Sequence, residues 1–293
     1  MAYKAEVIRD SVSPDGVRLT TLEVSYPHAI HKDIMTHRML SRNFQSFRAF
    51  PPEQVIENIE ADPFVPESFD SRVKGMGQGE AIADQEQADG IWRTYVGFSL
   101  ATAERLLDFD VAKAQVNFVL QDLTWITGII TATEWDNFFA LRTEENVRPE
   151  VLKIATMMQA AVQGSEPDPL SLGDTHLPYI GVDDIMEAKG DRATLAQVSA
   201  ARCARVSYLT HDGDRDLGAD LFLAKRLLAD GHMSPFEHVA TPIAISGPKY
   251  IEKVWHTGQR DLQPGPDWRG NFFGWLQYRK TLPNEHDYSQ AKL

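Results

Sequence analysis

One short stretch constrains the fold more than any other. In residues 19–26 the side chains alternate, with Leu19, Thr21, Glu23 and Ser25 interleaved with Thr20, Leu22, Val24 and Tyr26. A period of two is that of a strand, whose successive side chains point to opposite faces. The turn string Ser-Pro-Asp-Gly at 13–16 opens it. Pro27 follows, where a helix can begin because the first helical N–H has no intrahelical partner to lose. Ile30 and Ile34 stand one helical turn apart, and the polar string at 36–43 continues that helix or lies just past its end. A chain built this way pairs its strands into a sheet and covers the sheet with helices.

Residues 63–90 lack apolar periodicity and are rich in Gly and Asp, which predicts a surface-loop excursion. From Ile91 the helical period returns, with Trp92, Val96, Leu100, Ala103 and Leu107 on one face, and a second helix is expected over 112–120. Trp135, Phe138, Phe139 and Leu141 form a dense apolar patch. A helix carrying Val151, Ile154, Met158 and Val162 follows and ends near Gly164, with 165–174 as connector. The stretch 199–208 reads as helix running into a short extended piece, and Leu217, Leu221, Ala224 and Leu228 mark a helix stopped by Gly231. Residues 242–247 read as a strand. Ser246 caps a following helix that holds Pro248 in its first turn and buries Ile251, Val254 and Trp255. Strand, helix and polar turn thus recur at 19–48 and 241–279, the pattern of an internal duplication. The expected fold is α+β: a single domain over residues 1–293, with a mixed β-sheet flanked by helices and an internally duplicated strand–helix unit.

The 293 residues carry 29 Lys and Arg against 42 Asp and Glu, a formal net charge of −13. An acidic surface repels phosphate backbones, which argues against nucleic acid as a partner. No apolar run is long enough to span a bilayer, and the opening residues hold no apolar signal-peptide core, so neither a membrane partner nor export is expected. Cys203 is the only cysteine. One thiol closes no internal disulfide and builds no thiolate metal site, and a reducing, cytoplasmic setting fits.

Three constellations carry chemistry. Residues 36–49 place His37, Arg38, Ser41, Arg42, Asn43, Ser46 and Arg48 within about four helical turns. Forked guanidinium donors beside hydroxyls make a clamp for phosphate or carboxylate, and a solvated basic helix face is the plainer alternative. Asn137 and Arg142 are polar residues set in the aromatic patch, either facing a ligand or on a helix surface. His232, Glu237 and His238 invite a metal, but their spacing is not that of HExxH and Pro235 interrupts a helix between them. A ligand-facing turn is the preferred reading there, with no metal site. The chain holds no GxGxxG after a strand, no P-loop and no GxSxG elbow. Cys203, in an Ala-Ala-Arg-Cys-Ala-Arg string, reads as a buried inert thiol.

Together the three constellations resemble the flavin-dependent thymidylate synthases, the ThyX family. That family carries Arg-His-Arg followed after seven residues by Ser. Here the string is Thr36-His37-Arg38, the matching serine is Ser46, Arg48 follows, and Ser41 and Asn43 match the residues between. Residues 137–142, Asn-Phe-Phe-Ala-Leu-Arg, are similar to the family's Asn-Phe…Leu-Arg string. Residues 232–238, His-Met-Ser-Pro-Phe-Glu-His, and 204–208, Ala-Arg-Val-Ser-Tyr, are similar to two more. The last two pieces come first in compact members; the order here resembles a longer branch found in phages and some bacteria, over nearly the whole chain.

The resemblance implies conversion of dUMP to dTMP with FAD as cofactor, NADPH and methylenetetrahydrofolate as co-substrates, and a homotetramer with flavin sites where subunits meet. It implies that Ser46 and Arg48 bind the nucleotide, Ser46 near its phosphate, and that Arg142 holds and polarises the pyrimidine. It assigns His37, Arg38, Asn137, Leu141 and Ser234 to the flavin and His232 to the flavin and folate face. The flavin route needs no protein nucleophile, because the cofactor carries the hydride and the one-carbon unit. The chain departs from the family at Thr36 for Arg, Phe44 for Glu, Ala49 for Tyr, and Asn146 and Arg148 for His and Gln. Asn117 or Phe118 stands for an arginine that assists the phosphate, with Arg42, Arg148 and Arg279 as candidates to replace it. A hydroxymethylase that captures the one-carbon intermediate with water, and a non-catalytic flavin- or nucleotide-binding paralogue, are the alternatives.

Overall fold

The structure is a computed structural model and describes residues 3–75, 77–206, 216–254, 260–283 and 285. Strands β1 (Lys4–Val12), β2 (Arg18–Pro27), β3 (Ser41–Phe44), β4 (Trp125–Ala132) and β5 (Asp168–Pro169) form one sheet in the order β3-β4-β2-β1-β5. β5 runs parallel to β1 and the other neighbours are antiparallel, so the sheet is mixed as expected. The alternating stretch is β2, at the sheet's centre. Its Leu22, Val24 and Tyr26 share a core with Ile126 and Ile130 of β4 and with Val151, Ile154 and Met158.

The polar face of β2 is buried as well. A hydrogen-bonded row crosses it: Ser11 Oγ to His176 Nδ1 at 2.9 Å, His176 Nε2 to Thr21 Oγ1 at 2.9 Å, Thr21 to Thr131 at 2.7 Å, and Thr131 to His238 Nδ1 at 2.7 Å. Tyr179 donates to Glu23 at 2.6 Å on the same face. The polar half of the alternation therefore meets the C-terminal part of the chain rather than water, with partners that offset the cost of burial.

The helices are α1 (His31–Met35), α2 (Pro52–Ala61), α3 (Gln85–Asp108), α4 (Lys113–Val116), α5 (Asp136–Arg142), α6 (Pro149–Gly164), α7 (Val182–Glu187), α8 (Arg192–Arg205) and α9 (Leu217–Ala229). α3 begins before Ile91 because Asp84 caps it, accepting from the Gln87 N–H at 2.9 Å, so the irregular excursion ends at 84. α9 ends as its sequence predicts, at Gly231 with φ 74°. α7, α8 and α9 are tied by a buried ion cluster in which Arg202 meets Asp184 at 2.6 Å and Asp220 at 2.8 Å, and Arg205 meets Asp220 at 2.7 Å.

Two expectations are corrected. Of the two readings of 36–43 the helical one fails and the other holds: the string lies past the end of α1, as a turn, then edge strand β3, with a second turn after it. The helix after Ser246 is also absent. β6 (Ala240–Pro242) precedes a hairpin of β7 (Tyr250–Val254) with β8 (Arg260–Pro264), followed by β9 (Trp268–Arg269), β10 (Phe272–Phe273) and β11 (Trp275–Gln277), which pairs with β6. Ser246 caps nothing; its N–H and hydroxyl both donate to Asp267 at 2.9 Å. The aromatic and β-branched residues at 250, 251 and 254 suit an extended chain, and Ile251 is exposed. The expected strand at 242–247 reduces to β6, shifted towards the N-terminus. The stretches 19–48 and 241–279 thus differ in element order, and the second contains no copy of the helix among its described residues. Trp255 and the extended piece expected after Val206 lie outside the described residues.

Candidate active site

Edge strand β3 organises the site, with one cavity at each of its ends. The first, of about 460 Å³, is lined by Asn43, Phe44, Ser46, Arg48, Ala49, His232 and Ser234. Ser46 and Arg48 are exposed while Phe47 and Phe50 between and after them are buried. The loop thus presents its polar side chains to this cavity and anchors itself by its rings. The second cavity, of about 620 Å³, is lined by Thr36, His37, Arg38, Asn137, Leu141 and Arg142, with Tyr250 at its edge.

Asn43 joins three of the sequence strings. It accepts from the Ser234 hydroxyl at 3.2 Å and donates to the Cys203 carbonyl at 2.8 Å. The metal reading of 232–238 finds no support in the geometry: His232 faces the first cavity, Glu237 pairs with Arg279 at 2.5 Å, and His238 is buried against Thr131. Cys203 is fully buried, and burial pushes its thiol up, so no thiolate is available as a nucleophile. Cys203→Ala is expected to leave turnover within a few-fold of the wild type; loss of activity with the fold retained by circular dichroism would restore a thiol mechanism.

In the second cavity Arg142 Nε donates to His37 Nε2 at 2.8 Å, and its terminal nitrogen reaches Thr36 Oγ1 at 3.2 Å and the Asp33 carbonyl at 3.4 Å. An accepting Nε2 requires a neutral His37 with its proton on Nδ1. Burial first, then the Arg142 and Arg42 charges, hold its pKa below the ordinary value, which agrees. Thr36, where the family has arginine, thus serves as an acceptor that steadies Arg142. The guanidinium groups of Arg38 and Arg142 stand beside Leu141 and Met39, with Glu134, paired to Lys249, and Asp136 on the same lining; the two forked donors and the apolar surface fit the flat ring of a flavin nucleotide.

Phe44 also has a physical account, whereas nothing in the structure explains Ala49 or Asn146. Phe44 lies over Gly128, where an added Cβ would meet its ring at 2.1 Å, and packs on Tyr26 and His31. None of the candidate replacement arginines lines the first cavity. Arg42 donates to the Met35 carbonyl, Arg148 stands 3.7 Å from Asp33, and Arg279 is held by Glu237 and Glu285.

Asn117, noted in the sequence only as one of two positions that stand for a family arginine, has a different task. Fully buried, it donates to the carbonyls of Phe47 at 2.7 Å and Phe50 at 3.1 Å. A neutral amide thus pins the loop that carries Ser46 and Arg48. Replacement by Ala strands two buried carbonyls, at about 1–3 kcal/mol each. Asn117→Ala is expected to weaken dUMP binding about tenfold, which corresponds to about 1.4 kcal/mol, while flavin content stays the same. Unchanged dUMP affinity by calorimetry would free the loop from this role.

The sheet and its helical cover define an α+β protein with an arginine-bearing cavity at each end of its edge strand. Residues 17–168, just over half of the chain, match the family described as thymidylate synthase complementing protein. The chain belongs to that family, and membership makes it a dUMP-modifying enzyme. Among solved structures it is similar to the UMP/dUMP methylase PolB from Streptomyces cacaoi bound with 5-Br dUMP, with TM-score 0.46 and 18% identity over 56% of this chain and 90% of that one. The same protein bound with 5-Br UMP aligns with TM-score 0.46 and 18% identity, over 56% of this chain and 89% of that one. Comparison with curated proteins found no match. Among the described residues, no helix is long and apolar enough to cross a membrane.

Proposed function

We propose that the chain is a flavin-dependent thymidylate synthase, acting over residues 1–293 as one catalytic domain. It transfers a one-carbon unit from methylenetetrahydrofolate to C5 of dUMP and reduces it to a methyl group, with NADPH as the source of electrons. The observation that carries this reading is the gathering of sequence-distant residues at β3: Ser46, Arg48, His232 and Ser234 around one cavity, His37, Arg38, Asn137, Leu141 and Arg142 around the other. When bound, FAD supplies the hydride and carries the one-carbon unit.

The chain's own groups bind and orient. Ser46 and Arg48 hold the phosphate by a hydroxyl bond and a forked, charge-assisted one. Arg142 stabilises negative charge that develops on the pyrimidine carbonyls. His37 and Thr36 hold Arg142 in place, and Arg38 and Asn137 hold the cofactor.

Ser46 and Arg142 line different cavities of one chain, so a site that uses both is completed by a second copy. A homotetramer provides this. Ile91, Tyr95 and Phe98, exposed at helical spacing on α3, offer an apolar stripe to bury in it.

The test is an absorbance spectrum of the purified protein, dUMP titration of its flavin bands, and the mass of the product. Flavin bands that respond to dUMP and a methylated product are expected. A hydroxymethylated product would make it a hydroxymethylase, and bound flavin without dUMP-dependent turnover would make it a non-catalytic paralogue.

A further inference from the structure

The segment 270–277 takes no part in the functional reading above, and none of the family strings reaches it. Yet it is bonded to both walls of the second cavity. One wall is the turn 36–40, which carries His37 and Arg38; the other is α5 with the residues that lead into it. The turn has little hold of its own. It lies outside the ladder that pairs β3 with β4, which begins at Ser41. Its backbone bonds, from His37 to the Ile34 carbonyl and from Leu40 to the His37 carbonyl, are both long at 3.3 Å. Arg142 holds its start at Thr36. Asn271 holds its far end, where the amide nitrogen donates to the Met39 carbonyl at 3.0 Å. On the opposite wall the Phe273 N–H donates to Thr133, next to Glu134 of the lining, at 3.2 Å.

Donor and acceptor chemistry fixes this arrangement. A carbonyl only accepts, so the Met39 oxygen selects the amide nitrogen of Asn271 and turns the amide oxygen towards Gln277. Gln277, buried, donates to that oxygen at 2.8 Å and to Ser41 Oγ at 3.0 Å, and the Ser41 hydroxyl donates to the same Asn271 oxygen at 3.2 Å. Gly270 makes the approach possible: its φ is 71°, and an added Cβ would meet Gln277 Oε1 at 2.3 Å. We propose that Asn271, oriented by Gln277, is a positioning residue of the second cavity: it fixes the turn that holds His37 against Arg142 and presents Arg38 to the ligand. The consequence for binding rests on the flavin reading above. The placement of His37 does not, so the two are read separately.

The first readout needs no ligand. With Arg142 donating to Nε2, the neutral His37 ring keeps its proton on Nδ1. Nitrogen NMR of that ring, assigned by its loss in His37→Gln and recorded where the ring is neutral, should show this tautomer in the wild type. Asn271→Leu, which keeps the shape of the side chain and removes its bonds, should give a mixture of both tautomers. Asn271→Ala should do the same, and decides the matter if the leucine variant does not fold. Ser246→Ala, which loses one bond elsewhere in the C-terminal part, should keep the wild-type tautomer. The second readout is FAD affinity by fluorescence titration. It should fall about fivefold or more in Asn271→Leu, the worth of about one hydrogen bond, and hold in Ser246→Ala. A mixture already present in the wild type, or the wild-type tautomer in the Asn271 variants, overturns the positioning role. A mixed tautomer with unchanged FAD affinity overturns its effect on the ligand. A wild type that binds no FAD ends the flavin reading, and the tautomer still decides what Asn271 does.

Discussion

Arg142→Ala should cut kcat for the proposed conversion of dUMP to dTMP by about 100-fold or more while leaving the fold intact. Removing a donor aimed at developing negative charge typically costs about 3 kcal/mol of barrier, which is that factor. The fold should survive because the side chain is not part of the core. Its partners are His37 Nε2, Thr36 Oγ1 and the Asp33 carbonyl, all on the turn that ends α1. Arg142→Lys should recover little: an ammonium keeps the charge but cannot keep one bond to His37 while presenting a fork to the pyrimidine. Losing Arg142 also removes one of the two charges that, after burial, hold the His37 pKa down. The pH profile of the residual activity should therefore shift upward on its acid side. Wild-type kcat/KM in Arg142→Ala, with dUMP bound normally, would take this residue out of the site.

The strings that carry the site were legible because each is local: Ser46 with Arg48, Asn137 with Arg142, and His232 with Ser234 sit on single turns or one short helix. What joins them was not. β3 looks like polar helix because its Ser41, Arg42 and Asn43, none of them strand-forming by type, are spent on hydrogen bonds outside the strand, to Gln277, Met35 and Cys203. β4, Trp-Ile-Thr-Gly-Ile-Ile-Thr-Ala, is a short apolar run whose period alone does not separate strand from helix. The alternation of β2 was read correctly, yet its polar face is buried by residues some 155 positions later, beginning with His176. Asn117 was visible only as a departure from a family arginine; its role was not, since a buried amide that holds two carbonyls has no pattern in sequence. The cap signal at Ser246 was overridden by Asp267, a contact across 21 residues. Local chemistry survives translation into structure; long-range hydrogen bonds decide where it is delivered.

Lowering the pH from 7 to 4.5 should remove about 3 kcal/mol of stability through His238, with His176 acting in the same direction. Both rings are fully buried in the row that crosses β2 and β4. Burial pushes His238 down to about 3, and burial, then Arg9 and His238, hold His176 well below its ordinary value. In the unfolded chain each titrates near 6.5. Between that value and the folded ones, the unfolded state binds protons that the fold refuses. The stabilisation is complete above 6.5 and declines as pH falls through the window, by about 1.4 kcal/mol per unit for each ring. His31, pushed down to about 4 by burial, then His28 and Arg42, acts in the same direction. A loss of about 3 kcal/mol is a large share of the whole stability of many domains. It would also reach the site first, because His238 fixes the turn that carries His232 and Ser234 to the sheet. Denaturant titrations at pH 7, 6 and 5, where few carboxylates protonate, read the slope directly. His238→Gln, which cannot take up the proton, should lower that slope by one proton while remaining folded at pH 7. A wild-type stability that is flat from 7 to 5, or a slope that His238→Gln does not change, would mean that His238 accepts its proton without unfolding and that the row does not hold the turn by exclusion of charge.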